Sequence, residues 1–376
     1  MNTNHMTLPP VARMYRALLE RDAAFEGVFV VGVTTTRIFC SPACSAKKPR
    51  RENCAFFTDA REALRAGFRA CLRCRPLERG RAASPLVARL LDLIEHDGEK
   101  RVRDADLRAL GIDPTTARRA FHRHCGMTFQ NYQRARRMGL ALADLRANRD
   151  LPRAMDLAGY ESWSGFGAAF AGVFGRPPSK AEAIGALVAD WIPTPLGPMV
   201  AVASDAGLVL LEFHDRRALE RELRELRQAL GVAIVPGESA VLRQIRGELD
   251  EYFAGERTAF ETPLVIRGGE FERRVWSELA KIPAGETRSY RQIATAIGTP
   301  QAVRAVGRAN GQNPLAIVVP CHRVIRSDGA LCGYGGGVWR KRRLLEHEAA
   351  IGGRLLPALT RSAPAAAGTR AARGAS

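Results

Sequence analysis

The residues with the most chemistry to offer are eight cysteines in a chain of 376. Cys40 and Cys44 form a C-x3-C pair and Cys71 and Cys74 a C-x2-C pair, with 26 residues between the pairs. Two close pairs separated by a small folded unit suit a tetrahedral four-sulfur zinc site, each sulfur about 2.3 Å from the metal. The plain role for such a zinc is a structural staple. The reactive alternative is that an all-thiolate site carries two net negative charges, which keeps its sulfurs nucleophilic at neutral pH. Arg37, Lys47, Lys48, Arg50, Arg51, Arg69, Arg73 and Arg75 surround these cysteines in sequence, a basic shell suited to holding a phosphate backbone against them. Cys54 fits neither pair and is expected in the core.

A second thiol stands in "IVVPCHRVIRSDG", residues 317–329. Cys321 there reads as a buried small hydrophobe, a metal ligand or a nucleophile. Its neighbour His322 is a candidate base, but adjacent residues of an extended chain point to opposite faces. Contact between them then needs a bend or a bridging water. Upstream, "YRQIATAIGTPQAVRAVGRANGQNP" has a helix-turn-helix pattern. Arg304 and Arg308 lie four apart on its second helix, and Ala302, Ala305 and Gly307 keep that helix slim enough to approach a groove. Cys332 and Cys125 are expected to pack rather than react.

The elements that must position these groups fall into blocks. Residues 1–76 hold five cysteines, and "RPLERGRAASP" reads as a linker. Residues 84–183 are helical and basic; positions 101–149 alone carry eleven Arg against four Asp, a net +7. In "DADLRALGIDPTTARRAFHRHCG" a helix, a turn at Gly111 and a second helix are predicted, with Asp113 as N-cap and Pro114 at the first helical position. Ala117 and Phe121 would face inward, leaving Thr115, Thr116, Arg118, Arg119 and His122 outward, as in a major-groove reader. A similar unit, "LPRAMDLAGYESWSGFGAAFAGVFGRPPSKAEA", has a second helix weakened by Gly165 and Gly167 and short of basic residues. Residues 188–267 open on a hairpin, "MVAVASDAGLVLLEF", followed by two helices and a short strand "TPLVI". Residues 268–352 are mainly helical around a strand-like "LAIVVP" that ends at Cys321, and 353–376 is a low-complexity tail expected to be disordered.

Composition sets the outer limits. Lys plus Arg outnumber Asp plus Glu by 57 to 39, giving +18, which suits a polyanionic partner such as nucleic acid; an arginine-rich solvated surface is the bland alternative. The N-terminus lacks the basic-then-apolar pattern of a signal peptide, and no apolar run reaches membrane-span length. A cytoplasmic protein with reduced cysteines is expected, which favours metal binding or thiol chemistry over disulfides.

Three resemblances attach to these motifs. "TTRIFCSPAC", "REN" and "EALRAGFRACLRCRP" resemble the N-terminal domain of the Ada family, in which a zinc-bound cysteine accepts a methyl group from a DNA methyl phosphotriester. That implies Cys40 as acceptor, Cys44, Cys71 and Cys74 as the other ligands, and Lys47 and Arg69 as backbone contacts, with Lys where the family usually has Arg. "CGMTFQNY" and "GYESWSGFGAAFAGVFGRPPS" resemble junctions of the AraC-type tandem helix-turn-helix domain. "SYRQIATAIG", "AVRAVGRANGQNPLAIVVPCHRVI" and "GYGGG" resemble O6-alkylguanine-DNA alkyltransferases over about residues 190–350. There the resemblance implies Cys321 as alkyl acceptor, with His322 and Glu348 activating it through a water. Tyr290 would assist base flipping and stabilise the leaving guanine, Arg304 would fill the gap in the stack, and Asn313 would be the hinge. Tyr334 would line the pocket.

The implied fold is multidomain, mixing α/β and all-α parts. It comprises a small zinc-binding α+β domain, the tandem helix-turn-helix domain, a ribonuclease H-like α/β subdomain and a winged-helix-like alkyltransferase domain. The implied activity is irreversible, single-turnover methyl transfer from O6-methylguanine to Cys321 and from methyl phosphotriesters to Cys40. Methylation of Cys40 removes a negative charge facing phosphates and so would switch on transcriptional regulation. One zinc and no organic cofactor are expected, with double-stranded DNA and RNA polymerase as partners of a monomer. The rivals are an AraC-like zinc transcription factor without transferase activity, against which Cys321, His322, Asn313 and Glu348 together argue, and a Cys–His hydrolase.

Overall fold

The computed structural model describes residues 8–352 except 23–24, 27, 75, 77–84, 97–100, 126, 149 and 217. Arg75, most of the linker, the Cys125 side chain, the N-terminal residues 1–7 and the tail 353–376 lie outside the described residues.

The first unit packs α1 (Val11–Glu20) and α2 (Ala60–Arg65) with a sheet of β1 (Val30–Val33), β2 (Ile38–Cys40), β3 (Cys54–Phe57) and β4 (Arg69–Ala70), in the order β3-β1-β2-β4. β1 runs antiparallel to β2 and β3, whereas β4 is parallel to β2. That parallel pairing brings the two cysteine pairs together, because Phe39 aligns with Ala70 and the Cys71 N–H donates to Phe39 O at 2.9 Å. β2 therefore ends on Cys40, and β4 ends one residue before Cys71.

The basic block holds α3 (Pro85–His96), α4 (Asp104–Ala109), α5 (Pro114–Cys125), α6 (Phe129–Asn148), α7 (Leu151–Ala158) and α8 (Trp163–Phe174). The first turn forms as its residues dictate: Gly111 takes φ 72°, which only glycine adopts cheaply, and the Asp113 carboxylate accepts from Thr116 N–H at 2.7 Å. Ala117 and Phe121 are fully buried. α8 forms despite its glycines because Phe166 and Phe170 are fully buried and Ser162 caps its start. Burial of two aromatic rings, several kcal/mol on ~25 cal/mol per Å², outweighs a cost of about 1 kcal/mol per glycine.

Most of the remaining chain shares an apolar core with residues from Ile192 to Leu344, and a second cluster around Leu187, Val202, Val209, Leu210 and Leu219 packs separately. The sheet here is β5 (Ala186–Ile192), β6 (Met199–Ser204), β7 (Gly207–Phe213) and, after α9 (Leu219–Leu230), β8 (Ala233–Pro236), in the order β7-β6-β5-β8. The hairpin β6–β7 matches the expected one; β5 and β8 went unread. α10 (Ala240–Ala254), α11 (Glu270–Ala280), β9 (Arg288–Ser289), α12 (Tyr290–Ala296), α13 (Val303–Gly311), β10 (Val324–Ile325) and α14 (Val338–Ile351) follow.

Two expected strands are absent. "TPLVI" makes a single bridge, Leu264 to Leu208, and "LAIVVP" another, Leu315 to Leu211. After Leu315 the chain curls into turns with Ile317 at φ 71° and enters a short 3-10 turn at Cys321–Arg323. The reason is Asn313, whose side-chain amide donates to Leu315 O at 3.3 Å and Val319 O at 2.7 Å and whose oxygen accepts from Leu315 N–H at 3.0 Å. One side chain satisfies the backbone that a strand ladder would otherwise have to satisfy. Among the described residues, no helix is long and apolar enough to cross a membrane.

Candidate active site and metal centre

The sulfurs of Cys40, Cys44, Cys71 and Cys74 all lie within 4.8 Å of one another, and all four residues are buried. Tetrahedral zinc with sulfurs at 2.3 Å needs sulfurs about 3.8 Å apart, so the donor set fits. Backbone N–H groups of Ser41 and Ala46 already point at Cys74 and Cys44 sulfurs, at 3.5 and 3.4 Å. The crowded thiols shift one another: the Cys74 side chain and burial push Cys40 up, and the Cys40 side chain holds Cys74 down to about 5. Lys47 and Arg69 are exposed. Arg37 is exposed but already engaged: its guanidinium lies 4.4 Å from the Phe68 ring centre and donates to Ala66 O at 2.7 Å. Lys48 donates to Cys44 O at 2.7 Å.

On α5, Thr115, Thr116, Arg118, Arg119 and His122 are all exposed. Two of these already have partners, Thr116 with Asp113 and Arg118 with Asp104 on α4. The exposed positions of α8 are Trp163, Ser164, Ala168 and Gly172, with no charge among them.

Cys321 is 5% exposed and sits in the shared core. Burial pushes its thiol up to about 11, opposed by the Asn313 side chain. His322 is fully buried, and burial lowers it more than Glu348 raises it, so the ring is neutral at rest. Its Nε2 lies 2.8 Å from Glu348 Oε1, so Nε2 carries the proton and Nδ1 is an acceptor. That Nδ1 is buried with no hydrogen-bond partner, and no hydrogen bond joins the ring to the thiol. His322 and Glu348 thus meet, while His322 and Cys321 are not joined by a hydrogen bond.

Tyr290 and Gly307 face each other across α12 and α13, and the Cys332 thiol donates to the Tyr290 hydroxyl at 3.6 Å. Burial and Cys332 together raise Tyr290. Arg304 and Arg308 are exposed on α13. The Tyr334 hydroxyl is buried without a partner.

Several residues of the site went unread in the sequence. Glu348 also accepts from Arg323 at 2.8 and 3.0 Å and from the Tyr252 hydroxyl at 2.9 Å. Asn310 donates to Cys321 O at 3.3 Å, and buried Lys341, lowered by burial to about 8, donates to Val324 O and Cys332 O. Arg323 lies inside the "IVVPCHRVIRSDG" stretch, whereas Tyr252 is 96 residues from Glu348 and carries no signal.

Family models match four consecutive stretches: the metal binding domain of Ada at 13–77, a helix-turn-helix domain at 107–183, and the ribonuclease-like and DNA binding domains of 6-O-methylguanine DNA methyltransferase at 187–266 and 270–350. The chain is 35% identical over 348 residues to the bifunctional transcriptional activator/DNA repair enzyme Ada of Escherichia coli, covering 89% of this chain and 95% of that one. The chain belongs to the Ada family. The regulatory protein ada of Salmonella typhimurium is 36% identical, with 88% and 94% covered. A solved Mycobacterium tuberculosis OGT in complex with DNA is 42% identical over 44% of this chain and 94% of its own, with a TM-score of 0.38. As in Ada proteins, zinc-binding, helix-turn-helix and methyltransferase domains share one chain, zinc is the cofactor and DNA is a partner.

Proposed function

We propose that this chain transfers methyl groups irreversibly from O6-methylguanine in DNA to Cys321 and from methyl phosphotriesters to Cys40, and that methylation at Cys40 switches on transcription. The reading rests above all on one observation, the buried Glu348–His322 pair, whose Nδ1 has no hydrogen-bond partner, on the residue that follows a buried thiol.

At Cys321 the proton of the resting thiol reaches His322 Nδ1 through a water, and Glu348 stabilises the imidazolium that results. The sulfur attacks the methyl carbon; the S–C bond forms as the C–O6 bond breaks, and the electron pair returns to the purine. The Tyr290 hydroxyl meets the developing charge, and the proton released by the thiol neutralises it. The thioether leaves no route back, so each site turns over once. Arg304 fills the stack after the base leaves it, Arg308 holds backbone, Asn313 fixes the turn that presents the thiol, and Tyr334 lines the pocket.

At the N-terminal site Cys40, Cys44, Cys71 and Cys74 hold zinc, which keeps the bound sulfurs ionised. Cys40 takes the methyl carbon, the C–O bond breaks and a phosphodiester anion leaves. The site loses one negative charge, so exposed Lys47 and Arg69 hold DNA phosphates against less repulsion. On α5, Thr115, Thr116, Arg119 and His122 read the promoter, with Arg118 joining them if Asp104 releases it.

The finer architecture fits the same reading. Residues 1–76 are the zinc-binding α+β domain, 84–183 the AraC-type tandem domain, 188–267 the ribonuclease H-like part and 268–352 the winged-helix-like catalytic part. We place the protein in the cytoplasm as a monomer that contacts RNA polymerase. The test is peptide mass spectrometry after incubation with DNA carrying both lesions. One methyl on the Cys40 peptide and one on the Cys321 peptide are expected, each abolished by its own Cys→Ala change. A fully active protein with neither peptide methylated would end the proposal.

A further inference from the structure

Arg216 follows β7 and is 8% exposed along its side chain. It holds Glu212 at 2.5 Å and Glu222 at 2.7 Å, and its Nη2 also donates to Gly311 O at 3.0 Å. Gly311 is the last residue of α13, the helix that carries Arg304 and Arg308. A guanidinium on the terminal carbonyl of a helix satisfies an orphan acceptor and meets the negative end of the helix dipole.

Its anchor lies on the strand that also holds the thiol segment. Glu212 is 1% exposed within β7, and its neighbour Leu211 donates N–H to Pro314 O and accepts from Ala316 N–H, both at 2.8 Å. The chain leaving α13 is thus fastened to β7 twice: at Gly311 through Arg216, and at Pro314–Ala316 through the backbone. Five residues later it reaches Cys321. The other ties on the last turn of α13, Trp276 Nε1 to Ala309 O at 2.8 Å and Asn310 to Cys321 O at 3.3 Å, come from the catalytic half itself. Gly335, next to Tyr334, lies so close to the guanidinium that a Cβ there would collide with it. Arg216 therefore has little freedom to move. Burial opposes its charge, but Glu212 and Glu222 outweigh that cost. Burial likewise pushes the Glu212 carboxyl up to about 8, opposed by Arg216, so the pair holds by its 2.5 Å geometry and each member depends on the other.

We propose that Arg216 is a positioning residue for transfer from DNA, pinning the C-terminal end of α13 to β7 and so fixing the distance between the DNA-holding helix and Cys321. The inference rests on the alkyltransferase reading of Cys321. A base flipped from a duplex held on α13 reaches the thiol only if helix and thiol are in register. A free base has no such requirement, because only the pocket holds it.

The experiment compares single-turnover methyl transfer to full-length protein from an O6-methylguanine duplex and from free O6-methylguanine. For Arg216→Gln, transfer from the duplex is expected to fall about tenfold to hundredfold, the penalty of a roughly 1 Å misplacement. Transfer from the free base should stay within about threefold, since no pocket contact of the base is removed. Because Arg216→Gln leaves Glu212 buried and unpaired, the double variant Arg216→Met/Glu212→Leu is measured alongside it. Removing a buried charge with its buried counter-charge at matched volume is commonly tolerated. The remaining partner, Glu222, is 15% exposed along its side chain and keeps access to water, so this variant folds yet lacks the tie to Gly311. Arg216→Lys, which keeps the charge but not the fork, should recover part of the duplex rate. A parallel loss with both substrates, or an unchanged duplex rate in the folded double variant, overturns the proposal. A parent protein inert toward both substrates instead overturns the alkyltransferase reading.

Discussion

Replacing Glu348 by Gln probes the thiol site at its most connected atom pair. The carboxylate accepts from His322 at 2.8 Å, Arg323 at 2.8 and 3.0 Å, the Tyr252 hydroxyl at 2.9 Å and Gly285 N–H at 3.3 Å, and none of it is exposed. Glutamine keeps the shape and one acceptor oxygen but turns an NH2 toward donors, and Arg323 loses its counter-charge. Removing one member of a buried pair costs about 3–5 kcal/mol. At roughly 2–4 °C per kcal/mol for a unit of this size, melting should fall by about 6–20 °C. Methyl transfer should fall too, because the imidazolium that receives the thiol proton loses its partner. With general-base contributions of about 10²–10⁴, a single-turnover assay below the variant's melting point should show at least a ~10²-fold loss.

The pH dependence has a defined sign. Burial opposes ionisation of Glu348, but His322 and Arg323 outweigh it and hold the carboxyl well below the usual range. A folded value below the unfolded one, near ~4.3, means the stabilisation is complete above that pH and erodes as pH falls below it. The variant should therefore lose less stability than the parent between about pH 4.3 and lower values. Tyr252→Phe removes one bond and no charge, costing about 1–2 kcal/mol with little change in rate. An E348Q protein that melts with the parent and transfers within a few-fold of it would refute the role given to this carboxylate.

Purified protein should release one zinc per chain in a colorimetric assay. Cys74→Ser should drop well below that, and Cys54→Ser, whose thiol donates to Arg50 O, should leave it unchanged; equal zinc in both variants would contradict the ligand set. Asn313→Ala strips three hydrogen bonds from the buried turn before Cys321 and should cost about 3–5 kcal/mol in urea unfolding, at ~1–3 kcal/mol per unpaired group; a loss under about 1 kcal/mol would show the turn holds without it. Gly167→Ala meets no atom within 4 Å and should stabilise α8 by about 0.8–1.0 kcal/mol, read as a higher melting temperature; destabilisation would show that the face is covered.

The sequence by itself determined whatever local chemistry decides. Gly111, Asp113 and Pro114 specify a turn and a capped helix through backbone freedom, an acceptor and a fixed φ, and α4 and α5 formed as those residues require. The cysteine spacing marked the metal site because two short pairs already bring sulfurs within reach, and the Asp205–Ala206 turn marked the hairpin. Local pattern failed at "LAIVVP", where an apolar run looks the same whether it pairs along its length or curls around one asparagine. Only the tertiary structure decided that, because Asn313 competes for the backbone groups a ladder would use and β7 accepts a single bridge. The same holds for the partners of Glu348. Tyr252 and Arg323 converge on one carboxylate from positions 96 and 25 residues away. No periodicity encodes that meeting, which packing of α10 and the 3-10 turn against α14 in a common core brings about.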